Sequence, residues 1–507
     1  MRLRARALPL LLAGCLPALA ATVAGEAWSE ARFLEHVRYL ASPEMRGRAA
    51  GSPELERAAE YIAGEFRRIG LRPPPGAGYF QEFAVLVNAE LGPNNRLAWR
   101  HRGESRELAL RRDYLPLTLS GRGKAAGRVV FAGYGISARE YGYDDYAGLE
   151  AKGRIVVLLR HEPQEFDRDS VFAGKTYTEH SQLYAKALNA RLHGARAVLL
   201  VNDTRQHGGL AGEFTEFTPY AGPAPAGIPA FHVSAAVARE WFRLAGKDFE
   251  KVQERINQRL EPASFAWPEE FRVELRSDVR AERRKVRNVA AWLPGRTDEY
   301  VIIGAHYDHI GRGEQFSLAR NAAGEVHPGA DDNASGVAGL IELARWFAGR
   351  GPMRRGVLFL AFSAEEQGLL GSSHYVRSPL LPLARAVAMI NLDMIGRIRD
   401  RKVYVGGGHT GTGLIRALEA HLEETSLRID ISESGGYGSS DHTAFTAQEV
   451  PVLFFFSGLH GDYHRPGDTW DKVRAGEAVE LLRYVAAVVA ELAESPERPA
   501  FLHPRVQ

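Results

Sequence analysis

Four segments of this sequence place histidine or carboxylate side chains at or just after the end of an apolar run, and a fifth places two aspartates just before a helical pattern. They supply His306 with Asp308 and His309, then Asp331 and Asp332, Glu365 and Glu366, Asp393, and finally His460, Asp462 and His464. Imidazole and carboxylate groups without a thiolate suit zinc, and also manganese or cobalt. The pattern raises the hypothesis of a metal centre built from distant parts of the chain.

Each segment alone is a weak signal, because a carboxylate at a helix start is usually a cap and a Glu-Glu pair is usually solvated. Glu365 and Glu366, however, follow the apolar run VLFLAF, and Asp393 follows AMINL. Carboxylates beside buried strands are costly unless a cation accompanies them. Five such coincidences favour a metal site over unrelated structural roles.

Strands of the last 220 or so residues have to position these groups. The runs YVIIGAH, GVLFLAF, AVAMINLDM and PVLFFFS are almost continuously apolar, which is typical of strands buried on both faces. Helical patterns such as GVAGLIELARWFAG lie between them. Alternation of this kind predicts an α/β layered domain. Ligands gather at the carboxyl ends of strands in such sheets, where the candidate side chains fall.

The region before this domain contains two different patterns. EARFLEHVRYLAS and GSPELERAAEYIAGEFRRIGL predict helices, the second capped by Ser52, with Pro53 in its first turn and Gly70 at its end. Short strands are expected over residues 80 to 120. Four β-rich runs (GRVVFAGYG, GRIVVLLR, RAVLLVND and IPAFHVS) then surround a helical stretch, SQLYAKALNARLHGA, and predict a separate mixed unit.

Residues 1–24 have the pattern of a secretory signal peptide, with three arginines, an apolar run and then small residues. Two cleavage patterns are open. Ala18-Leu19-Ala20 fits ordinary cleavage, whereas LAGC resembles a bacterial lipobox in which Cys15 carries a lipid anchor. Either pattern predicts an exported protein: periplasmic, secreted or held at the outer membrane. Cys15 is the only cysteine, so no internal disulfide is expected.

The charge balance gives no reason to expect a nucleic-acid partner. The 507 residues carry 64 basic and 62 acidic side chains, a net charge of +2. One basic stretch, RSDVRAERRKVRN, lacks the interleaved aromatic residues of a single-strand binding surface. A solvated boundary strand is the simpler interpretation.

The order H-x-D, D-D-N, E-E, D and Y-H resembles the co-catalytic di-zinc exopeptidases, which include bacterial leucyl-type aminopeptidases, glutamate carboxypeptidase II and, more distantly, glutaminyl cyclase. The resemblance covers about residues 285 to 490, and LASPEMRGRAAGS also resembles the bacterial members. GYGISAREYGYDDYAGLEAKGRIVVLLR resembles the protease-associated (PA) domain often inserted in this family. A sister family with a lid and dimerisation insert fits less well, because the gap between Asp393 and His464 leaves no room for it.

The resemblance implies a mixed, mostly parallel sheet flanked by helices, with an inserted β-rich PA domain. It divides the chain into 28–117 as the N-terminal part of the catalytic domain, 118–275 as the PA domain and 280–495 as the zinc peptidase domain.

The resemblance also implies the site residues. His306, Asp332 and Asp393 are expected to bind one zinc and Asp332, Glu366 and His464 the second, with Glu365 as general base and Tyr437 as a donor to the oxyanion. Asp332, not Asp331, is selected because it directly precedes Asn333, and the 332–333 peptide is expected to be cis. Asp308 is expected to orient the His306 imidazole. His309 is not expected to be a ligand.

Three functions are compatible with these residues. An aminopeptidase acting on peptides is the leading one. A carboxypeptidase or dipeptidase on the same scaffold needs a basic group for the substrate carboxylate, for which Arg397 is a candidate. A non-catalytic receptor-like protein is the third, and the filled ligand positions oppose it. The sequence leaves the native metal, residue preference, oligomeric state and role of the PA domain open.

Overall fold

A computed structural model describes residues 28–503, except 139–140, 168, 173–177, 204–213, 215–216, 218–225, 314–315, 320–321, 323 and 432–439. The predicted signal peptide with Cys15, and the predicted oxyanion donor Tyr437, lie outside the described residues. Within the described part of the chain, no helix is both long and apolar enough to cross a membrane.

The helices are, in chain order, α1 (Glu30–Leu40), α2 (Pro53–Ile69), α3 (Leu183–Leu192), α4 (Ala235–Leu244), α5 (Phe249–Arg259), α6 (Gly336–Ala348), α7 (Leu370–Arg377), α8 (Leu414–Glu419), α9 (His442–Thr446) and α10 (Ala475–Glu494).

The strands are β1 (Phe80–Leu91), β2 (Arg96–His101), β3 (Glu104–Glu107), β4 (Tyr114–Pro116), β5 (Gly123–Phe131), β6 (Ser137–Ala138), β7 (Tyr143–Asp144), β8 (Ile155–Leu159), β9 (Ala197–Val201), β10 (Ala230–Val233), β11 (Phe265–Ala266), β12 (Arg272–Ser277), β13 (Val279–Leu293), β14 (Tyr300–His306), β15 (Gly356–Phe362), β16 (Ala386–Leu392), β17 (Lys402–Gly406), β18 (Arg428–Ile431) and β19 (Val452–Phe456).

The first sheet has the strand order β1-β13-β15-β14-β16-β19-β17-β18. Its centre is parallel, since β14 pairs in parallel with both β15 and β16, and β16 pairs in parallel with β19. The predicted mixed, mostly parallel α/β sheet is therefore confirmed. All four strands end at the same edge, which brings the residues that follow them together.

Helices cover both faces of this sheet because its central strands are apolar on both sides. Every residue of β14, β15 and β16 is buried. Val301 and Phe359 belong to one core cluster with residues of α1, α2, α6 and α10. Ile302 and Leu358 face the other way and cluster with Tyr375 of α7 and Phe445 of α9.

The N-terminal helices form as the sequence predicts. The Ser52 hydroxyl accepts a hydrogen bond from the Leu55 N–H at 3.1 Å, and Pro53 occupies the first turn of α2. The helix ends at Gly70, whose φ of 92° is readily adopted only by glycine. Both helices pack on the first sheet and its helix α6.

The second sheet has the order β3-β2-β12-β5-β8-β9-β10-β4 and forms the core of a separate unit. β2, β3 and β4 belong to it, so the expected boundary between residues 117 and 118 cuts through this sheet. The chain passes from the first sheet to the second near Gly92 and returns near Asp278. These two crossings are adjacent, since the Gly92 N–H donates to the Asp278 carbonyl at 2.8 Å and the Asp278 N–H donates to Asn95 Oδ1 at 2.7 Å.

Candidate metal centre

The candidate ligands meet at the carboxyl edge of the first sheet. His306 is the last residue of β14, and Asp393 directly follows β16. Glu366 and His464 lie in the loops after β15 and β19. Asp332 lies in the turn Ala330–Ser335, which leads into α6 and whose backbone is not helical at Asp332 and Asn333. The five side chains lie within two groups of closely spaced donor atoms that share Asp332.

His306 and two carboxylates form the first group. His306 Nε2 lies 3.3 Å from Asp332 Oδ1 and 3.3 Å from Asp393 Oδ1. Donor atoms placed tetrahedrally around an ion at about 2.0–2.1 Å are roughly 3.4 Å apart. The three atoms are therefore spaced to surround a single ion.

The second group has the same spacing and uses the other oxygen of Asp332. His464 Nε2 lies 3.2 Å from Asp332 Oδ2 and 3.0 Å from Glu366 Oε2. Asp332 thus turns one carboxylate oxygen toward each group, which is the arrangement of a ligand that bridges two ions.

Protein neighbours orient the imidazoles so that Nε2 faces the centre. His306 Nδ1 donates to the Asp308 carbonyl at 3.3 Å, and His464 Nδ1 donates to the Phe316 carbonyl at 2.9 Å. These hydrogen bonds place the proton on Nδ1 and leave a lone pair on Nε2, the form in which imidazole binds a metal.

Orphaned polar atoms at the centre fit bound cations. Within the described residues, Asp393 Oδ1 and His464 Nε2 are buried and have no hydrogen-bond partner. The other oxygen of Asp393, Oδ2, accepts a hydrogen bond from the Ser440 hydroxyl at 2.7 Å, so only Oδ1, which faces the centre, has no hydrogen-bond partner. Buried polar atoms of native proteins are almost always satisfied, and a metal would satisfy both.

Glu365 lies beside the two groups without belonging to either. Its Oε2 is 3.8 Å from His306 Nε2, and its side chain is buried. Burial raises the pKa of Glu365 well above its usual range, and the neighbouring Glu366 and Asp441 carboxylates act in the same direction. A carboxylate with such surroundings is a suitable proton acceptor.

The Asp308 carboxylate has a different partner from the one expected. Its two oxygens accept hydrogen bonds from the backbone N–H groups of Glu365 at 3.0 Å and Glu366 at 3.3 Å, whereas Oδ1 is 3.7 Å from His306 Nδ1. The side chain therefore holds the two glutamates, and it is the Asp308 backbone carbonyl that contacts the imidazole.

The neighbouring aspartates Asp331 and Asp332 point in different directions. The peptide between Asp332 and Asn333 is cis, as expected. Asp331 accepts the Gly396 N–H at 2.6 Å and lies 3.2 Å from His460 Nε2, on the far side of the loop from the ligands. Asp468 accepts the N–H groups of Asp331 at 3.0 Å and Asp332 at 3.1 Å. Asp331, His460 and Asp468 thus support the loop that carries Asp332.

His309 lies inside the second group, where the resemblance places no ligand. Its Nδ1 is 2.6 Å from Glu366 Oε1 and 3.8 Å from Asp332 Oδ2. Since a carboxylate only accepts, His309 donates to the oxygen of Glu366 that faces away from His464. Its position directly after the H-x-D motif was the available signal.

Two further side chains contact the predicted ligands: Ser440, which sequence reasoning missed, and Tyr463, the tyrosine of the Y-H motif. Ser440 contacts Asp393, as described above. The Tyr463 ring stacks on the His464 ring with centroids 3.9 Å apart. Burial raises the pKa of Tyr463, and the carboxylates of Asp332 and Glu366 add to the effect. Ser440 belongs to no spacing pattern that would reveal Asp393 as its partner.

Arg397, the candidate for binding a substrate carboxylate, is already paired. Both of its terminal nitrogens lie 3.2 Å from Asp462 Oδ2, and Lys472 Nζ lies 3.1 Å from the same oxygen. Arg397 is therefore engaged within the protein, with Asp462 as the shared partner of two cations.

Comparison with known families agrees with this geometry. Residues 288–489 match the model of peptidase family M28, and residues 121–241 match the PA domain. Residues 288–489 belong to peptidase family M28. The M28 region contains all five predicted metal ligands and Glu365, and the PA match lies within the second unit.

Two of the curated proteins that resemble this chain are named aminopeptidases. Aminopeptidase YwaD of Bacillus subtilis (strain 168) is 26% identical over 406 residues, which cover 76% of this chain and 75% of that protein. A probable leucine aminopeptidase of Trichophyton verrucosum (strain HKI 0517) is 30% identical over 217 residues, or 41% of this chain and 57% of that protein. The match to the fungal protein thus covers little more than half of its length.

The fold also matches a solved structure. An aminopeptidase from Aneurinibacillus sp. strain AM-1 superposes with a TM-score of 0.53 at 20% sequence identity, covering 95% of this chain and 97% of that chain. At this level of identity the match shows a shared fold that includes both units.

Proposed function

We propose that this chain is a zinc aminopeptidase that removes N-terminal residues from peptides. The observation that carries the proposal is the carboxylate of Asp332, with one oxygen in each of two His-and-carboxylate groups, beside Glu365. The choice of metal is supported by a probable zinc metalloprotease of Pyrenophora teres f. teres (strain 0-1), which is 41% identical over 113 residues.

His306, Asp332 and Asp393 would hold one ion and Asp332, Glu366 and His464 the other. When bound, such a pair activates water at neutral pH and polarises the carbonyl of the bond to be cleaved. Glu365 accepts the proton from the attacking water and returns it to the amine that leaves. Asp308 keeps Glu365 and Glu366 in place through their backbone N–H groups.

The charges around the centre favour a free substrate amine over a free carboxylate. The ligands, Glu365 and Asp441 are all acidic or neutral, and Arg397 is held in an ion pair with Asp462, which also binds Lys472. An amino terminus carries a positive charge that these carboxylates attract. This supports an aminopeptidase over the carboxypeptidase alternative.

The test is an assay of the dialysed protein, with and without added zinc. We expect cleavage of aminoacyl-anilides only after zinc is restored, and no cleavage of the same peptides once their amino groups are blocked. Activity on N-blocked peptides with a free carboxyl end would contradict the proposal in favour of a carboxypeptidase. A protein that binds zinc but cleaves neither substrate would favour the receptor-like function.

We also propose that the protein is exported, on the strength of its first 24 residues. Mass spectrometry of the mature N-terminus distinguishes the two predicted forms. A chain that begins at Ala21 indicates ordinary cleavage, and a lipid-modified Cys15 indicates a lipoprotein. A full-length chain that keeps Met1 in the cytoplasm would contradict export.

A further inference from the structure

The segment between α1 and α2 runs directly beneath the metal-binding loops. The Gly47 carbonyl accepts the Gly311 N–H at 3.0 Å, and the Arg48 carbonyl accepts the His309 N–H at 3.2 Å. A Cβ atom at Gly47 would lie 2.4 Å from the Gly311 carbonyl oxygen, so the two backbones are in close contact. This segment is far from the ligands in sequence and adjacent to them in space.

The guanidinium of Arg48 is fully buried and binds backbone carbonyls on both sides of the centre. It donates to the Tyr307 carbonyl at 2.9 Å, the Pro328 carbonyl at 2.9 Å and the Gly329 carbonyl at 3.0 Å, and also to the Leu40 carbonyl. Tyr307 directly follows the ligand His306, and Gly329 lies three residues before the ligand Asp332. One side chain thus joins the two loops whose ligands share the first ion site.

Arg48 is also a buried positive charge among carboxylates. Burial lowers its pKa to about 10, and the charges of Asp308, Asp332 and Asp468 oppose that change. Its pKa stays well above neutral, so the guanidinium remains charged and offsets part of the negative charge of these carboxylates.

We propose that Arg48 is a positioning residue of the metal centre, which keeps the His306 and Asp332 loops at the separation that one ion requires. The inference rests on the proposed function, because it assumes that these residues bind metal. Arg48 does not touch the donor atoms themselves. It acts through four carbonyls that only a planar, multi-donor cation can reach at once.

The chain offers a matched control in Arg355. This arginine is also fully buried and also binds backbone carbonyls, those of Leu492 at 2.7 Å, Ser495 at 2.8 Å and Glu497 at 3.0 Å. It directly precedes β15, at the opposite edge of the sheet from the ligands. Arg355 also pairs with Glu299 at 2.9 Å. Loss of either buried arginine should therefore destabilise the fold, whereas only Arg48 contacts the metal-binding loops.

The experiment measures Zn²⁺ affinity, by competition with a fluorescent chelator, and melting temperature for Arg48→Lys, Arg48→Met, Arg355→Lys and Arg355→Met. All four variants should melt below the wild type. Both Arg48 variants should bind zinc about 10- to 100-fold more weakly, the usual effect of losing a residue that supports metal ligands. Both Arg355 variants should bind zinc with an affinity within about twofold of the wild type, because Arg355 does not support a metal ligand.

A spectroscopic measurement separates positioning from simple destabilisation. The absorption bands of bound Co²⁺ report ligand geometry, so they should shift in Arg48→Lys and stay unchanged in Arg355→Lys. If Arg48→Met does not fold, as judged by near-ultraviolet circular dichroism, Arg48→Lys decides the question.

Two outcomes are distinguishable. Equal zinc affinity and equal cobalt spectra for the Arg48 and Arg355 variants would overturn the role of Arg48 while leaving the proposed function intact. A wild-type protein that binds no zinc would instead overturn the proposed function itself.

Discussion

Both units of this protein bury carboxylates, and Asp145 of the second unit differs from Asp393 of the first in how its oxygen atoms are paired. In the second unit Asp145 is fully buried and accepts hydrogen bonds from the Tyr143 hydroxyl at 2.8 Å and from the N–H groups of Tyr134 at 3.0 Å and Ile136 at 3.1 Å. Burial raises the pKa of Asp145 to about 7. Protein donors alone accommodate this group.

At the edge of the first sheet the donors are too few. Asp393 and His464 each have one atom satisfied by the protein and one buried atom with no partner among the described residues. The difference shows that a buried carboxylate indicates a metal only where nearby N–H and O–H groups do not suffice. The following experiments test that distinction.

Asp332→Asn should have the largest effect. The substitution removes the charge and one of the two oxygens that face the separate ligand groups, so zinc affinity should fall by more than about 100-fold and peptidase activity should disappear. Elemental analysis after dialysis measures the loss. Asp145→Asn is the control and should retain the zinc content of the wild type. Two equivalents of zinc in Asp332→Asn would refute the bridging role.

Glu365→Gln should have the next largest effect, and on catalysis alone. Removing a general base lowers kcat by about 10²- to 10⁴-fold. Zinc content should not change, because Glu365 lies outside both ligand groups. Steady-state kinetics and metal analysis on the same preparation check both points. Loss of zinc together with activity would mean that Glu365 is a ligand.

Zinc removal should loosen one unit and not the other. Binding at 100 times the dissociation constant stabilises a folded state by about 2.7 kcal/mol per site. We expect chelation to accelerate hydrogen exchange at the N–H groups of Asp332, Glu365 and Glu366, which are bound by carboxylates of the centre. Exchange in β8 and β9 should stay the same. Equal acceleration in both units would show that the centre is not a local metal site.

Asp145→Asn should have the smallest effect. It leaves a buried N–H or O–H donor poorly paired, which costs about 1–3 kcal/mol of unfolding free energy. Chemical denaturation measures this change, and peptidase activity should match that of the wild type. A large loss of activity in a folded Asp145→Asn protein would mean that the second unit contributes to the centre.

Local patterns predicted the parts of the structure that depend on local sequence. Helix α2 begins after Ser52 and ends at Gly70 because its cap, apolar spacing and terminal glycine lie within one short segment. The four strands β14, β15, β16 and β19 were predicted from their apolar runs. The parallel pairing of these strands then brings the five candidate ligands to one edge, in agreement with the resemblance that selected them.

Long-range partners could not be predicted in this way. The residues of β2, β3 and β4 do not indicate which sheet these strands join. The carboxylate of Asp308 could have bound its neighbour His306, yet it binds the amides of Glu365 and Glu366, which arrive from another strand. His309 and Ser440 likewise acquire their contacts from residues distant in sequence.

By itself, the sequence determined which chemical groups this protein has and which strand ends carry them, because residue type and apolar periodicity are local properties. The tertiary structure decided which atoms face each other. Asp332 divides its two oxygens between His306 and His464, Asp331 one residue earlier turns away, and Arg48 reaches both loops from a remote segment. The directions of side chains depend on packing between segments hundreds of residues apart, and no local pattern encodes them.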